Sequence, residues 1–205
     1  MHAPTETYWA AVKRILRYLK GTSSFSLHLT RGSSFSLHGF TDADWAGSID
    51  DRKSTSGYIV FLGTTPISWK SGKQCTVARS STELEYKALT DGTTKVLWLR
   101  YLQSNLCFFP SFVTIIWCDN LGATYLYATL IFHARTKHVK VNYHFVRDRI
   151  AKREIQIRFI SSKDQLADVL TKPLSHFIFF SYTFQASCGS PTFSLRGSIM
   201  ECIVE

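Results

Sequence analysis

The chain has 205 residues, 45% of them hydrophobic and 14% aromatic, enough for one core of ordinary domain size with extensions. Its 24 lysines and arginines against 15 acidic residues give a formal charge of +9, which suits a polyanionic partner. The five cysteines form no C-x-x-C pair, which argues against a zinc ribbon or a disulfide framework, and no apolar run is long enough to span a bilayer. The expected setting is intracellular, cytoplasmic or nuclear, with no secretion and no membrane partner.

Trp9, Val12, Ile15, Leu16 and Leu19 recur at helical spacing across residues 5–20, with Lys13, Arg17 and Lys20 on another face and Gly21 as a stop. Residues 22–36 are rich in Ser, Gly and Thr. They hold most of a near-repeat, Ser24-Phe25-Ser26-Leu27-His28 and Ser34-Phe35-Ser36-Leu37-His38, that fits short strands or a linker. Strand-like runs at 37–41, 58–62 and 67–70 are separated by turn-type clusters, so they predict an antiparallel meander. A long helical pattern covers 82–106. After it come a strand at 113–118, helical segments within 120–152, an alternating strand at 155–160 and a helix from about 164.

The order β-β-β-α-β-α-β-α predicts an α/β fold: a mixed five-stranded sheet in which parallel strands extend the meander through right-handed crossovers, flanked by helices. The expected organisation is a leading segment 1–36, a domain 37–174 and a tail 175–205 that is Ser- and Phe-rich without a clear period and expected to be poorly ordered.

Four acids stand at the ends of these elements: Asp42, Glu85, Asp119 and Asp168. Hard divalent cations want oxygen ligands, and clustered carboxylates tolerate one another only when a cation neutralises them. Taken singly, each acid reads as a loop or cap carboxylate; their joint placement points to a metal centre. Helix geometry distinguishes the two glutamates of the long helix. Ser80 and Glu83 have capping-box spacing and Glu83 precedes Lys87 by four, so Glu83 is expected to be structural and solvated. Glu85 lies about 200° further round the helix, in a row with Leu89 and Val96 at the buried face, where an unpaired carboxylate would be costly. Asp42 and Asp44 would point to the same side if the first strand continued that far; Asp42 is favoured and Asp44 is kept as a supporting residue.

These residues sit in segments that resemble the ribonuclease H region of copia-type retrotransposon polyproteins. Gly39-Phe40-Thr41-Asp42-Ala43-Asp44-Trp45-Ala46-Gly47 resembles that family's first strand. Arg52-Lys53-Ser54-Thr55-Ser56-Gly57-Tyr58 with Ile67-Ser68-Trp69-Lys70 resembles its hairpin, and Ser80-Ser81-Thr82-Glu83-Leu84-Glu85-Tyr86 its helix entry. Cys118-Asp119-Asn120, His133-Ala134-Arg135-Thr136-Lys137-His138, His144-Phe145-Val146-Arg147-Asp148 and Asp164-Gln165-Leu166-Ala167-Asp168-Val169-Leu170-Thr171-Lys172-Pro173-Leu174 follow in family order. The segment from Trp9 to Thr22 is similar to the end of the preceding reverse-transcriptase part, without its polymerase core. Leu84 replaces the family's usual Ala, Lys140 and Asn142 stand where acids are common, and the pattern fades after Leu174.

The resemblance implies that Asp42, Glu85, Asp119 and Asp168 form the acidic quartet, holding two magnesium ions, with manganese as an alternative, for hydrolysis of the RNA strand of an RNA-DNA hybrid. It implies the reverse-transcriptase part of a parent polyprotein as a further partner, and no small-molecule cofactor. Ser80 and Asn120 are supporting residues. The basic run containing Arg135, Lys137, Lys140 and Arg147, with His138, is assigned to the hybrid backbone, the bland reading being a solvated helix face. Trp98 and Trp117 are read as core. The competing function is a catalytically inactive nucleic-acid-binding remnant. A different nuclease or strand-transfer enzyme on the same carboxylate fold is the third.

Overall fold

A computed structural model describes residues 5–23, 34–47, 52–75, 77–78, 80–108, 113–122, 124 and 140–172. They fall into two compact units, which are treated separately. In the first, helix α1 (Glu6–Thr22) is capped by the Thr5 side chain, which accepts from the Tyr8 amide. It runs through Gly21, expected to stop it, by one residue. None of its residues is buried, so the apolar row Trp9, Val12, Ile15, Leu16 and Leu19 stays exposed. Among the described residues no helix is long and apolar enough to cross a membrane.

The second unit contains β1 (Leu37–Asp44), β2 (Thr55–Leu62), β3 (Thr65–Lys73), α2 (Ser81–Asn105), β4 (Thr114–Cys118), α3 (Lys140–Ala151), β5 (Ile155–Phe159) and α4 (Asp168–Thr171). This is the expected order, and the five strands form one sheet in the order β3-β2-β1-β4-β5. β1, β2 and β3 pair antiparallel, whereas β4 runs parallel to β1 and β5 parallel to β4. β1 extends to Asp44, so Asp42 lies within the strand, opposite Gly57 of β2.

Period-two alternation sorts side chains to the two faces of the sheet. Leu37, Val60, Ile116 and Ile155 meet Leu89, Val96 and Leu99 of α2 and Val146 of α3 on one face. Phe40, Ile59 and Phe61 pack with Ala167 on the other, where Trp117, Leu166 and Leu170 join them. Gly92 lets α2 sit close to β1, because a Cβ there would come within 2.6 Å of Thr41 Cγ2.

The closing segment differs from the helix expected from about 164. A single 3-10 turn, Ser162–Asp164, is followed by Gln165 and then by the four-residue α4, with Asp168 as its first residue. Gln165 explains the break: fully buried, its Nε2 donates to the Thr41 carbonyl at 2.9 Å and its Oε1 accepts from the Ala167 amide at 3.3 Å. A buried polar side chain seeking main-chain partners competes with continued helix.

Candidate metal centre

Asp42 is 1% exposed, and its neighbours come from the closing segment. Thr171 Oγ1 donates to Asp42 Oδ2, and Lys172 Nζ lies 3.4 Å from Asp42 Oδ1. Asp168, 8% exposed, receives the same ammonium on Oδ1 at 2.7 Å. Asp119 follows β4 directly, and its Oδ2 accepts from Ser162 Oγ at 2.9 Å. Glu85, 6% exposed, accepts from the Ala43 amide and lies 4.0 Å from the Cys118 thiol through Oε2.

The four acids therefore meet. One carboxylate oxygen each of Asp42, Asp119 and Asp168 lie within 4.8 Å of one another, and Glu85, Cys118 and Asp119 make a second group within the same limit. Asp119 belongs to both. Each acid enters from a different part of the chain: β1, α2, the end of β4 and the start of α4.

The electrostatics show the strain of collecting these charges. Burial pushes the Glu85 carboxyl up to about 9, and the negative charges of Asp42 and Asp119 push the same way. Burial also raises Asp168, against the opposing hydrogen bond from Lys172. Burial works against the charge of Lys172, but its bond to Asp168 and the charge of Asp42 outweigh this and raise it. Burial likewise pushes the Cys118 thiol up and keeps it neutral. Carboxylate oxygens converging from separate elements, with burial and like charges favouring the protonated form of one acid despite the single ammonium of Lys172, fit a hard divalent cation.

The supporting residues divide. Asp44 is half-buried on the Asp42 side of β1, its carboxyl raised by burial and by Asp42. Ser80 caps α2, its Oγ accepting from the Glu83 amide at 3.1 Å. The Asn120 amide donates to the Cys118 sulfur, beside Asp119. The Arg147 guanidinium sits 6.0 Å from the Tyr143 ring centroid. Arg135, Lys137 and His138 lie outside the described residues, as does the side chain of Lys140, which opens α3.

Two expectations are corrected. Glu83 is paired with Lys87 at 3.0 Å as anticipated, yet it is 6% exposed and therefore not solvated. The side of α2 next to it is covered by α3, where Tyr143 meets Tyr86 with ring centroids 6.2 Å apart. Trp98 is 52% exposed and not core; it lies two residues from buried Val96, on the far side of the helix, with Lys95 Nζ 4.1 Å from its ring centroid. Trp117 does join the core against Phe40. Lys172, Thr171 and Ser162 were not singled out from the sequence, although the Asp168–Lys172 spacing of four is a readable ion-pair signal.

No family model matches the chain. It is 47% identical over 183 residues to the retrovirus-related Pol polyprotein from transposon RE2 of Arabidopsis thaliana, covering 89% of this chain and 13% of the relative. The corresponding polyprotein from transposon TNT 1-94 of Nicotiana tabacum is 42% identical over 170 residues, covering 82% and 13%. The chain thus spans about an eighth of the length of these relatives. Among solved structures, LC11-RNase H1, isolated from compost, superposes with a TM-score of 0.51 at 13% identity, over 67% of this chain and 93% of the other. The structure of LC11-RNase H1 with an RNA/DNA hybrid gives 0.50 at 11% identity, over 66% and 94%. At that identity the likeness shows the fold, which is that of ribonuclease H.

Proposed function

Because the chain belongs to the copia-type retrovirus-related Pol polyproteins and carries their ribonuclease H region, we propose that its carboxylate centre hydrolyses the RNA strand of an RNA-DNA hybrid. The observation that carries this reading is the convergence of Asp42, Asp119 and Asp168 within 4.8 Å, with Glu85 joined to them through Asp119. Asp42, Glu85, Asp119 and Asp168 would hold two magnesium ions, or manganese in their place. When bound, such ions supply Lewis acidity and neutralise charge at a phosphodiester.

The remaining work falls to the chain. The Ser162 hydroxyl fixes the Asp119 carboxylate and the Thr171 hydroxyl fixes that of Asp42, so the ligand oxygens are held in place before substrate arrives. Burial of Glu85, Asp42 and Asp168 strengthens every charge interaction in the centre. The basic run from Arg135 to Arg153 would track the hybrid backbone, with Arg147 in the C-terminal half of α3 among its described members. The likeness to a fold solved with an RNA/DNA hybrid supports the substrate assignment. The products would carry 5′ phosphate and 3′ hydroxyl ends. The parent polyprotein's reverse-transcriptase part is the proposed partner.

The test is magnesium-dependent cleavage of an end-labelled RNA-DNA hybrid, with Asp119→Asn as the control. Cutting by the wild type that the variant lacks supports the proposal. Hybrid binding without cutting above the control leaves the inactive remnant. Equal or faster cutting of duplex DNA assigns the centre to a different nuclease.

A further inference from the structure

We propose that the Lys172 ammonium is a built-in counter-cation of the carboxylate centre, bridging Asp42 and Asp168 until a divalent ion displaces it. The inference rests on reading the centre as a metal site. Lys172 Nζ lies 2.7 Å from Asp168 Oδ1 and 3.4 Å from Asp42 Oδ1. The two carboxylates are 126 positions apart in the chain, and this one amine joins them.

The individual carboxylate oxygens differ in their partners. Asp42 Oδ2 accepts the Thr171 hydroxyl and Asp119 Oδ2 accepts the Ser162 hydroxyl, so one lone pair of each is already engaged by the protein. Asp42 Oδ1 is left for a cation, and it is the oxygen that Lys172 faces. The lysine thus stands where positive charge is wanted. An ion shared by Asp42 and Asp168 competes with it for the same oxygens.

Position allows the lysine to yield. Lys172 directly follows α4, with its amide bonded to the Asp168 carbonyl at 2.9 Å, so its backbone is fixed beside the centre. Its side chain is 34% exposed, and its flexible stem can carry the ammonium into solvent without disturbing α4. One lysine offsets a single negative charge, whereas a divalent ion offsets two and also binds through oxygen coordination. Lys172 therefore holds the centre together in the metal-free protein and sets the ion concentration needed to fill it.

The test compares wild type with Lys172→Met, Lys172→Gln and Lys172→Arg in two measurements: Mn2+ affinity, from the electron paramagnetic resonance signal of the free ion, and urea unfolding in chelator. Lys172→Met and Lys172→Gln are expected to bind Mn2+ about tenfold tighter, the scale of one partly exposed unit charge removed from beside the ligands. Both are expected to unfold at lower urea when metal-free, and Lys172→Arg is expected to restore that stability. A merely structural lysine would lower stability without tightening the ion. Mn2+ binding that is unchanged or weaker in both neutral variants overturns the inference while leaving the metal centre intact. Failure of every protein, wild type included, to bind Mn2+ overturns both. Binding by the neutral variants alone supports the inference in its strongest form.

Discussion

Gln165 Nε2 donates to the Thr41 carbonyl oxygen at 2.9 Å, one residue before Asp42 and from a side chain three residues before Asp168. One buried hydrogen bond therefore ties the element carrying the first acid to the element carrying the last. Gln165→Leu removes the donor and leaves the Thr41 carbonyl and the Ala167 amide short of a partner in a buried place. The expected cost is about 1–3 kcal/mol of folding stability, read from urea unfolding. Cleavage should fall further than that loss of folded protein explains, because Asp168 loses its register against Asp42. A variant with unchanged cleavage per folded molecule would show that α4 needs no such tie.

Gly57 is the second constraint on α4. It lies opposite Asp42 in the sheet, and a Cβ there would come within 2.8 Å of Leu170 Cβ and 3.0 Å of Thr171 Cγ2. Gly57→Ala must push α4 away from β2, taking the Asp42–Thr171 hydrogen bond with it. The expected loss is about 1–3 kcal/mol, with weaker metal binding. Gly72→Ala is the matched control, since its Cβ would meet only the Lys70 Cε, at 3.5 Å. Its stability should stay within about 0.5 kcal/mol of wild type.

The pH dependence follows from Glu85. Its carboxyl is pushed up to about 9 in the folded protein from an ordinary value of 4.5, first by burial and then by Asp42 and Asp119. The folded state thus holds a proton that the unfolded chain releases. The stability contributed by this group is complete below about pH 4.5 and is lost as pH rises toward about 9. A divalent ion needs Glu85 ionised, so its binding releases a proton and strengthens as pH rises across the same window. The melting temperature in chelator should fall between pH 6.5 and 8.5, while the rise produced by Mg2+ should be larger at pH 8.5. An equal Mg2+ effect at both values would remove Glu85 from the ligand set.

Periodicity carried the main features of the fold. Alternation along β1 places Leu37 against α2 and Phe40 against the α4 side, and the element order fixes where strands turn parallel. The same geometry favours Glu85 over Glu83 as a ligand, and the structure brings Glu85, Cys118 and Asp119 into one group. It was less informative about what covers a helix from the side. Glu83 is buried on a side of α2 where Tyr86 meets Tyr143 of α3, and that neighbour is not visible in the spacing of α2 alone. Trp98 differs again: two residues from buried Val96 it faces outward, because angular position on the helix outweighs aromatic character. The short α4 was hidden for a third reason. Its limits are set by Gln165 reaching Thr41, a contact across 124 positions that no local pattern encodes.

Glu83 and Glu85 are the pair on which the proposed metal role is most sharply tested. They are two residues apart and equally exposed, at 6%, so burial alone cannot assign their roles. Glu83 has a cation, with Lys87 Nζ at 3.0 Å. Glu85 has no such ion pair among the described residues: the Ala43 amide, the weak Cys118 thiol and the charge of Lys172 work against its desolvation and the charges of Asp42 and Asp119, and do not outweigh them. Glu83→Gln should cost about 1–3 kcal/mol of stability through the lost charge on a buried hydrogen bond and leave cleavage per folded molecule within about twofold. Glu85→Gln should abolish cleavage and the Mg2+-induced rise in melting temperature. In chelator at pH 8 it should nonetheless unfold at higher urea than wild type, because a neutral amide replaces a buried acid crowded by like charges. If Glu85→Gln instead loses metal-free stability while Glu83→Gln loses cleavage, the two roles must be exchanged.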